Sequence, residues 1–415
     1  MKYLVDTNIL LSHPEFVTQP EIDIILTYSV ICELDKKKYE PGTIGLASRQ
    51  VSKWLDRART EGNLAAGVKT EYGNSVYVVM DQELGMPTDD CLVAIGSQLL
   101  ESGVEFILLS NDVNVRIKAA LSGISASGWG SGLAHKVDYQ AIREVFVPDN
   151  DINLIYSSNR LQVDSAWELV NNSYIMLRSE IRTSTTAIAF FNGNDLELVT
   201  GKRNIFGLSH KNVDQMCAID ALLRENLPLV TLVGKAGSGK TIIAVAAALH
   251  ALLEERSVDK IVIIRPPIPV GKDIGFMPGD LKEKLDVWAG SIYDNLDIMM
   301  KGKGKNLDMY FESGAIEILP PTFMRGRSLN RTFVILDEGQ SLTRHEMKTI
   351  ATRIGEESKF VVTGDLEQID NPRVSSVDNG LAVLIESFRG TEWATCLNLV
   401  KGERSDFASA AAERM

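Results

Sequence analysis

Short apolar runs alternate with longer stretches whose apolar positions recur at helical spacing, and this alternation covers most of the chain. Over residues 1–146 the runs Tyr3–Val5, Ile22–Leu26, Val76–Val79 and Phe106–Leu109 have strand length, while Ser48–Arg59 and Asp90–Leu100 have helical spacing. A continuous apolar run suits a strand buried on both faces; a stripe every three or four residues suits a helix lying on a core. Alternating the two predicts a parallel sheet with helices on its faces. Gly123–Gly132, rich in Gly and Ser, reads as a loop.

The pattern changes after Pro148-Asp149-Asn150-Asp151. Tyr174–Arg182, Ala187–Phe191 and Leu196–Val199 have strand composition, and Asn192-Gly193-Asn194-Asp195 is a good hairpin turn between two of them. Residues 147–207 are therefore expected to form a small β-rich connector. From 208 to 415 the α/β alternation returns, with Leu229–Val233, Ile261–Ile264, Ile316–Leu319, Phe333–Leu336 and Phe360–Thr363 as strands. Ile242–Leu252 reads as helical, and the Ala-rich tail Ala408–Met415 as either a helix or a frayed end. The fold class is α/β.

Composition narrows the classes. The 415 residues allow two or three domains. With 45% hydrophobic and 24% charged residues, collagen-like, coiled-coil and largely disordered chains are excluded. No apolar run approaches the roughly 18 residues of a membrane span. Asp6 interrupts the start too early for a signal peptide. Cys32, Cys91, Cys217 and Cys396 lie far apart, which fits a reducing, cytoplasmic setting. The net charge of −12 requires any nucleic acid to meet a local basic channel rather than a bulk positive field.

The strongest chemistry is Gly234-Lys235-Ala236-Gly237-Ser238-Gly239-Lys240-Thr241, which fits G-x-x-x-x-G-K-[ST] between an apolar run and a helical one. Such a turn aims successive N–H groups at phosphates, and the helix N-terminus adds positive potential. Lys240 is expected to reach the β- and γ-phosphates of ATP, and the Thr241 hydroxyl to hold Mg²⁺. The run Phe333–Leu336 ends in Asp337 and Glu338. Asp337 would hold the metal through water, and Glu338 would orient the attacking water. Thr363, Asp365 and Gln368 lie at the end of the next apolar run, where they would sense the γ-phosphate or couple it to another site. Arg265, Arg325, Arg327, Arg331, Arg404 and the basic loop Lys301–Lys305 offer charge for phosphates, although a solvated surface role suits at least half of these arginines.

Acids of a second kind lie in the first 146 residues. Asp6 ends the first strand, Glu33 opens a helix after the second, Asp89 and Asp90 precede the helix up to Leu100, and Asp112 follows the strand Phe106–Leu109. Each alone would serve as a helix cap or first-turn acid. Together, at the carboxyl edge of a parallel sheet, they repel one another unless Mg²⁺ or Mn²⁺ lies between them.

Two resemblances follow from these residues. Residues 205–410 resemble the PhoH family of P-loop ATPases, close to superfamily 1 helicases. The resemblance is carried by Lys211-Asn212-Val213-Asp214-Gln215, the phosphate loop, Arg265-Pro266 with Gly271 and Gly275-Phe276-Met277-Pro278-Gly279, Met324-Arg325-Gly326-Arg327, Asp337-Glu338-Gly339-Gln340 and Thr363–Gln368. It implies that Gln215 contacts the adenine edge and that Gln340 couples hydrolysis to nucleic acid. It also implies that Arg404, in Gly402-Glu403-Arg404-Ser405, is an arginine finger across a subunit interface. Residues 1–140 resemble the PIN-domain ribonucleases, which implies that Asp6, Glu33, Asp90 and Asp112 bind metal, with Asp89 competing for the third place. The order of the two blocks resembles PIN–PhoH fusion proteins.

The fusion implies a PIN-like parallel-sheet domain, the β-rich connector and a RecA-like P-loop NTPase domain. Its implied function is RNA processing that couples helicase-like ATP hydrolysis to metal-dependent cutting, in a homo-oligomer whose suggested form is a hexameric ring. Two other readings stay open: a PIN block that only binds RNA or a partner, and a P-loop kinase. Neither block has G-x-G-x-x-G in place, so NAD is not expected. The choice of RNA over DNA rests on the resemblance.

Overall fold

A computed structural model describes residues 1–20, 22–40, 43–81, 86–129, 142–164, 167–201, 204–266, 281–371, 374–375 and 379–402. The chain forms two compact units, Met1–His135 and Lys136–Met415.

The first unit holds strands β1 (Lys2–Val5), β2 (Asp23–Thr27), β3 (Val68–Lys69), β4 (Ser75–Val79), β5 (Phe106–Leu109) and β6 (Ala126–Ser127). They form one sheet in the order β3-β4-β2-β1-β5-β6, parallel except for β3 against β4. Helices α1 (Thr7–Ser12), α2 (Tyr28–Lys37), α3 (Thr43–Glu61), α4 (Thr88–Glu101) and α5 (Val113–Leu121) alternate with the strands. Leu4, Val5, Ile24, Leu26 and Leu108 are buried in its core with Ile9, Val30 and Leu92 from the helices. The chain leaves β1 for β2 on one side and reaches β5 on the other. The end of β1, where Asp6 sits, is therefore the switch point at which parallel sheets open a crevice.

The second unit begins with β7 (Arg143–Val147), α6 (Asp149–Ser158), β8 (Arg160–Gln162), β9 (Ser173–Ser179), β10 (Thr186–Phe191) and β11 (Asp195–Leu198). Their sheet runs β7-β9-β10-β11-β8. Because β7 pairs with β9, residues 143–147 belong here and not with the preceding block. Asn192 donates its N–H to Asp195 O at 3.2 Å across the hairpin turn, with Gly193 at φ 95°. One face buries Val145, Ile175, Leu177 and Ala189 against α6; Tyr174, Ile188 and Phe190 on the other join the core of the following α/β layer. The expected connector thus shares a core with the ATPase layer. Arg224 adds a polar tie, donating to Asp220 at 2.7 Å and Glu197 at 2.8 Å and lying 3.8 Å from the Phe190 ring centre.

That layer comprises α7 (Val213–Leu223), β12 (Leu229–Val233), α8 (Lys240–His250), β13 (Lys260–Ile264), α9 (Leu281–Gly302), α10 (Leu307–Glu312), β14 (Ile316–Leu319), β15 (Thr332–Leu336), α11 (Arg344–Ala351), β16 (Lys359–Gly364), α12 (Gly380–Phe388) and β17 (Ala394–Asn398). Its six strands are all parallel, in the order β14-β13-β15-β16-β12-β17. Every residue of β12 and β15 is buried, as their continuous apolar runs require. Among the described residues no helix is long and apolar enough to cross a membrane.

Candidate active sites

The phosphate loop leaves β12 directly. Gly234, Gly237 and Gly239 have φ of 149°, 84° and 93°, where a side chain is strained. A Cβ on Gly234 would also stand 2.4 Å from the carbonyl oxygen of Leu399. Lys235, Ala236 and Ser238 fill the turn between these glycines. Lys240 opens α8, and its ammonium lies back on the carbonyls of Gly234 and, at 2.9 Å, Lys235. Ser238 is fully buried, and its Oγ has no hydrogen-bond partner.

The carboxyl ends of neighbouring strands converge on this loop. Thr241 donates to Asp337 Oδ1 at 2.9 Å, and Thr363, at the end of β16, donates to the same oxygen at 2.6 Å. Arg265, just past β13, stands 3.5 Å from Asp337 Oδ2 and 3.8 Å from Glu338 Oε1 and donates to Ser291 Oγ at 2.9 Å. Glu338 takes a left-handed φ of 55°, which breaks β15 and turns the chain at the site. Gln340 is fully buried. Its Nε2 donates to Glu338 Oε2 at 2.7 Å and to the Gln368 carbonyl at 3.2 Å, and its Oε1 accepts from the Asp365 N–H at 3.1 Å.

The other residues singled out from the sequence have these partners. Gln215 is a brace for the phosphate loop: its Oε1 accepts from the Lys211 N–H at 2.9 Å, and its Nε2 donates to the Ser238 carbonyl at 3.1 Å. Arg327 donates to Glu317 at 2.6 Å, and Arg331 donates to Asp259 at 2.9 Å. Arg325 is exposed. In the basic loop, Lys301 is paired with Asp297 at 2.7 Å and Lys303 with Glu254 at 2.9 Å. Arg404, Gly271–Gly279 and the tail from 403 lie outside the described residues.

The first unit gathers its acids at the switch point. Asp6 precedes α1, yet its side chain makes no cap. Its Oδ2 instead accepts from Ser110 Oγ at 2.6 Å and Asn8 Nδ2 at 2.6 Å, drawing the end of β5 to the end of β1. Glu33 lies within α2 instead of opening it, because Thr27 caps that helix; its Oε2 accepts from Thr7 Oγ1 at 2.8 Å. Asp112 caps α5, accepting from the Asn114 N–H at 2.7 Å. Asp89 and Asp90 both lie in the first turn of α4 but face differently. Asp90 is paired with Lys118 at 2.7 Å. Asp89 feels Asp112 and Glu33, and its charge in turn reaches Asp6. Asp90, the residue the resemblance names, is thus ion-paired with Lys118, and Asp89 is the neighbour whose charge reaches Asp6. Burial raises the Asp6 pKa to about 6; the Ser110 hydrogen bond lowers it, and Asp89 and Glu33 add to the rise.

Comparison with known proteins agrees with both blocks. Residues 207–408 match the family described as PhoH-like protein, and residues 3–129 match a PIN domain. Protein PhoH2 of Bacillus subtilis (strain 168) is 36% identical over 99% of this chain and 99% of its own length. Protein PhoH2 of Thermobispora bispora is 30% identical over 100% of this chain and 96% of its own, and that of Mycolicibacterium smegmatis is 31% identical over the same shares. The chain belongs to the PhoH2 family. As a PhoH2 protein it is a nucleotide-binding P-loop ATPase that carries a PIN domain.

The PhoH2 sites fit the groups their families use. The orphaned Ser238 hydroxyl and the glycine turn suit a phosphate, and the oxygen donors Thr241 and Asp337 suit Mg²⁺. In the PIN unit the donors are again all oxygen, and a cation would offset the repulsion that helps to raise Asp6. Among the described residues no three His, Cys, Asp or Glu side chains form a ready metal cage. All-oxygen donors of this kind suit a hard divalent cation such as Mg²⁺ or Mn²⁺. Ser110, Asn8 and Thr7, which aim the PhoH2 acids, were not read from the sequence as positioning groups. Their signal is the small polar residues flanking each acid, in Asp6-Thr7-Asn8 and Ser110-Asn111-Asp112.

Proposed function

We propose that this chain processes RNA at two sites, hydrolysing ATP to move or unwind the strand and cutting it by metal-dependent chemistry in the PIN unit. One observation supports this above the rest. Each unit closes its strand ends around a buried carboxylate held by hydroxyl donors, Asp337 by Thr241 and Thr363, and Asp6 by Ser110.

In the ATPase unit, Lys240 and the N–H groups of Gly234–Thr241 hold the phosphates, and Gln215 keeps the loop in shape beside the nucleotide. Thr241 and Asp337 would hold Mg²⁺, which, when bound, neutralises charge developing on the phosphates. Glu338 orients the attacking water. Gln340 passes the state of Glu338 to Asp365 and Gln368, through which bound RNA is felt. A carboxylate next to Asp337 favours hydrolysis over the kinase reading. Arg404 acts on the ATP site of a neighbouring copy in a homo-oligomeric ring.

In the PIN unit, Asp6, Glu33, Asp89 and Asp112 would hold Mg²⁺ or Mn²⁺, which supplies an activated water and stabilises in-line displacement. Under the second reading this unit grips RNA without cutting it.

The test is the ATPase rate with and without single-stranded RNA, with RNA length read from the same tube. Stimulation with metal-dependent shortening is expected. Stimulation without shortening selects the gripping reading, and no response to RNA overturns the proposal.

A further inference from the structure

We propose that α2 is the edge along which the PIN unit takes its strand, with Lys36 and Lys37 holding the phosphate next to the one that is cut. The inference rests on the nuclease reading above and adds a binding subsite to it.

An open recess of about 710 Å³ lies beside the acids, with Glu33 and Asp89 in its wall. Helix α2 lines this recess along its length. Two ridges of four-residue spacing face it, Tyr28–Cys32–Lys36 and Ser29–Glu33–Lys37. Residues four apart share one helix face, so Glu33 has Lys37 one turn after it on its own ridge, while Tyr28 and Lys36 stand on the adjacent ridge that faces the same recess. A turn rises ~5.4 Å, the scale of one nucleotide step. The start of α2 is fixed from below by buried Asp81, whose carboxylate accepts from the Ser29 N–H at 3.0 Å and from the Ser29 hydroxyl.

Charge decides the occupant. A wall of carboxylates repels a phosphodiester unless cations on the same wall draw it in. Lys38 is taken by Asp35 at 2.5 Å, and Lys37 reaches Glu40 only at 3.6 Å. Lys36 is exposed and has no acidic side chain within ion-pair distance among the described residues. Tyr28 offers the ring against which an unpaired base stacks. An aromatic ring, a catalytic acid and two ammonium groups in that order match a single strand of RNA lying along the helix.

The experiment uses the full chain, Mn²⁺, no ATP and an unstructured fluorescent RNA. Lys36→Ala with Lys37→Ala is expected to raise KM about tenfold with kcat little changed. It should also flatten the dependence of log kcat/KM on log salt by ~0.7, the share of one phosphate contact on a single strand. Lys36→Arg should keep the wild-type slope. Tyr28→Ala should raise KM about tenfold and Tyr28→Phe should not, since stacking needs only the ring. Lys53→Ala, which removes the same charge from α3, should change neither value. Thermal stabilisation by Mn²⁺ shows that each variant keeps a folded PIN unit. Unchanged KM and salt slope in the double variant, while the wild type cuts, overturn the subsite alone. A wild type that cuts nothing overturns the nuclease reading and the subsite with it.

Discussion

Asp6 is 4% exposed, and burial before all else lifts its pKa from 3.8 to about 6. A raised acid pKa means that the folded chain keeps its proton longer than the unfolded one. Stability is therefore lost as pH rises through that window, by roughly 3 kcal/mol for a shift of about two units. Asp6→Asn keeps an oxygen for Ser110 and Asn8 and removes the charge. In metal-free buffer at pH 8 the variant should unfold at a higher temperature than the wild type, and the gain should vanish near pH 4. Mn²⁺ should then stabilise the wild type and leave the variant unmoved. Equal melting of the two at pH 8 would show that the carboxylate carries no such penalty. Glu338 is tested in the same isosteric way. Glu338→Gln keeps the side-chain shape and an oxygen for Gln340, so nucleotide should still bind while kcat falls by about 10²–10⁴, the usual worth of a positioned base. Normal turnover would remove Glu338 from the water-orienting role. At this scale the sequence is most informative about carboxylates at the ends of apolar runs taken as an ordered set, because any one of them has an ordinary use as a helix cap. It cannot choose between Asp89 and Asp90, since neighbours on a helix point about 100° apart and only the fold decides which faces the acids. Lys359 is likewise illegible. At the start of a strand it reads as a solvated charge, yet its ammonium is buried on the carbonyls of Ala221 and Arg224, and desolvation lowers its pKa to about 7.

Elements are legible where one period dominates. Strands β12, β13, β15 and β16 are continuous apolar runs buried on both faces, and their lengths follow from the sequence nearly to the residue. Strand β17 is not visible in this way, because Ala394-Thr395-Cys396-Leu397-Asn398 mixes small and polar residues. It is recognised only as the partner that β12 pairs in parallel register. The edge strand β7 is equally ambiguous. Its alternation of exposed Glu144 and Phe146 with buried Val145 and Val147 says strand, but not which sheet. The end of β16 shows how an element carries function. Gly364 lies against Gln340, and a Cβ there would stand 2.5 Å from Gln340 Oε1 and 2.5 Å from Leu381 Cδ2. Gly364→Ala should push the Gln340 amide off Glu338 and Asp365. The expected result is a loss of kcat of roughly 100-fold, the scale of an ångström's misplacement, with nucleotide affinity less affected. ATPase activity within twofold of wild type would show that Gln340 is not part of the hydrolytic geometry.

At the scale of the whole chain, each unit buries its own core, and each site is built from strands of its own sheet. The acids at the ends of β1 and β5 are held by Ser110, Asn8 and Thr7 of the PIN unit, and the phosphate loop by Gln215, Asp337 and Thr363 of the ATPase unit. The β-rich sheet, by contrast, is tied to α7 through Arg224, while α7 carries Gln215 against the phosphate loop. Each unit thus carries its own set of site residues, which can be altered one unit at a time. Lys240→Ala removes the loop's ammonium without touching Asp6, Ser110 or Glu33. It should abolish ATP hydrolysis while leaving metal-dependent cutting of a short, unstructured RNA within a few-fold of wild type. Cutting of a structured RNA should fall much further, because only that substrate needs the motor. Equal loss on both substrates, in a protein whose PIN unit is still stabilised by Mn²⁺, would mean that the nuclease requires a nucleotide-bound ATPase rather than an unwound strand.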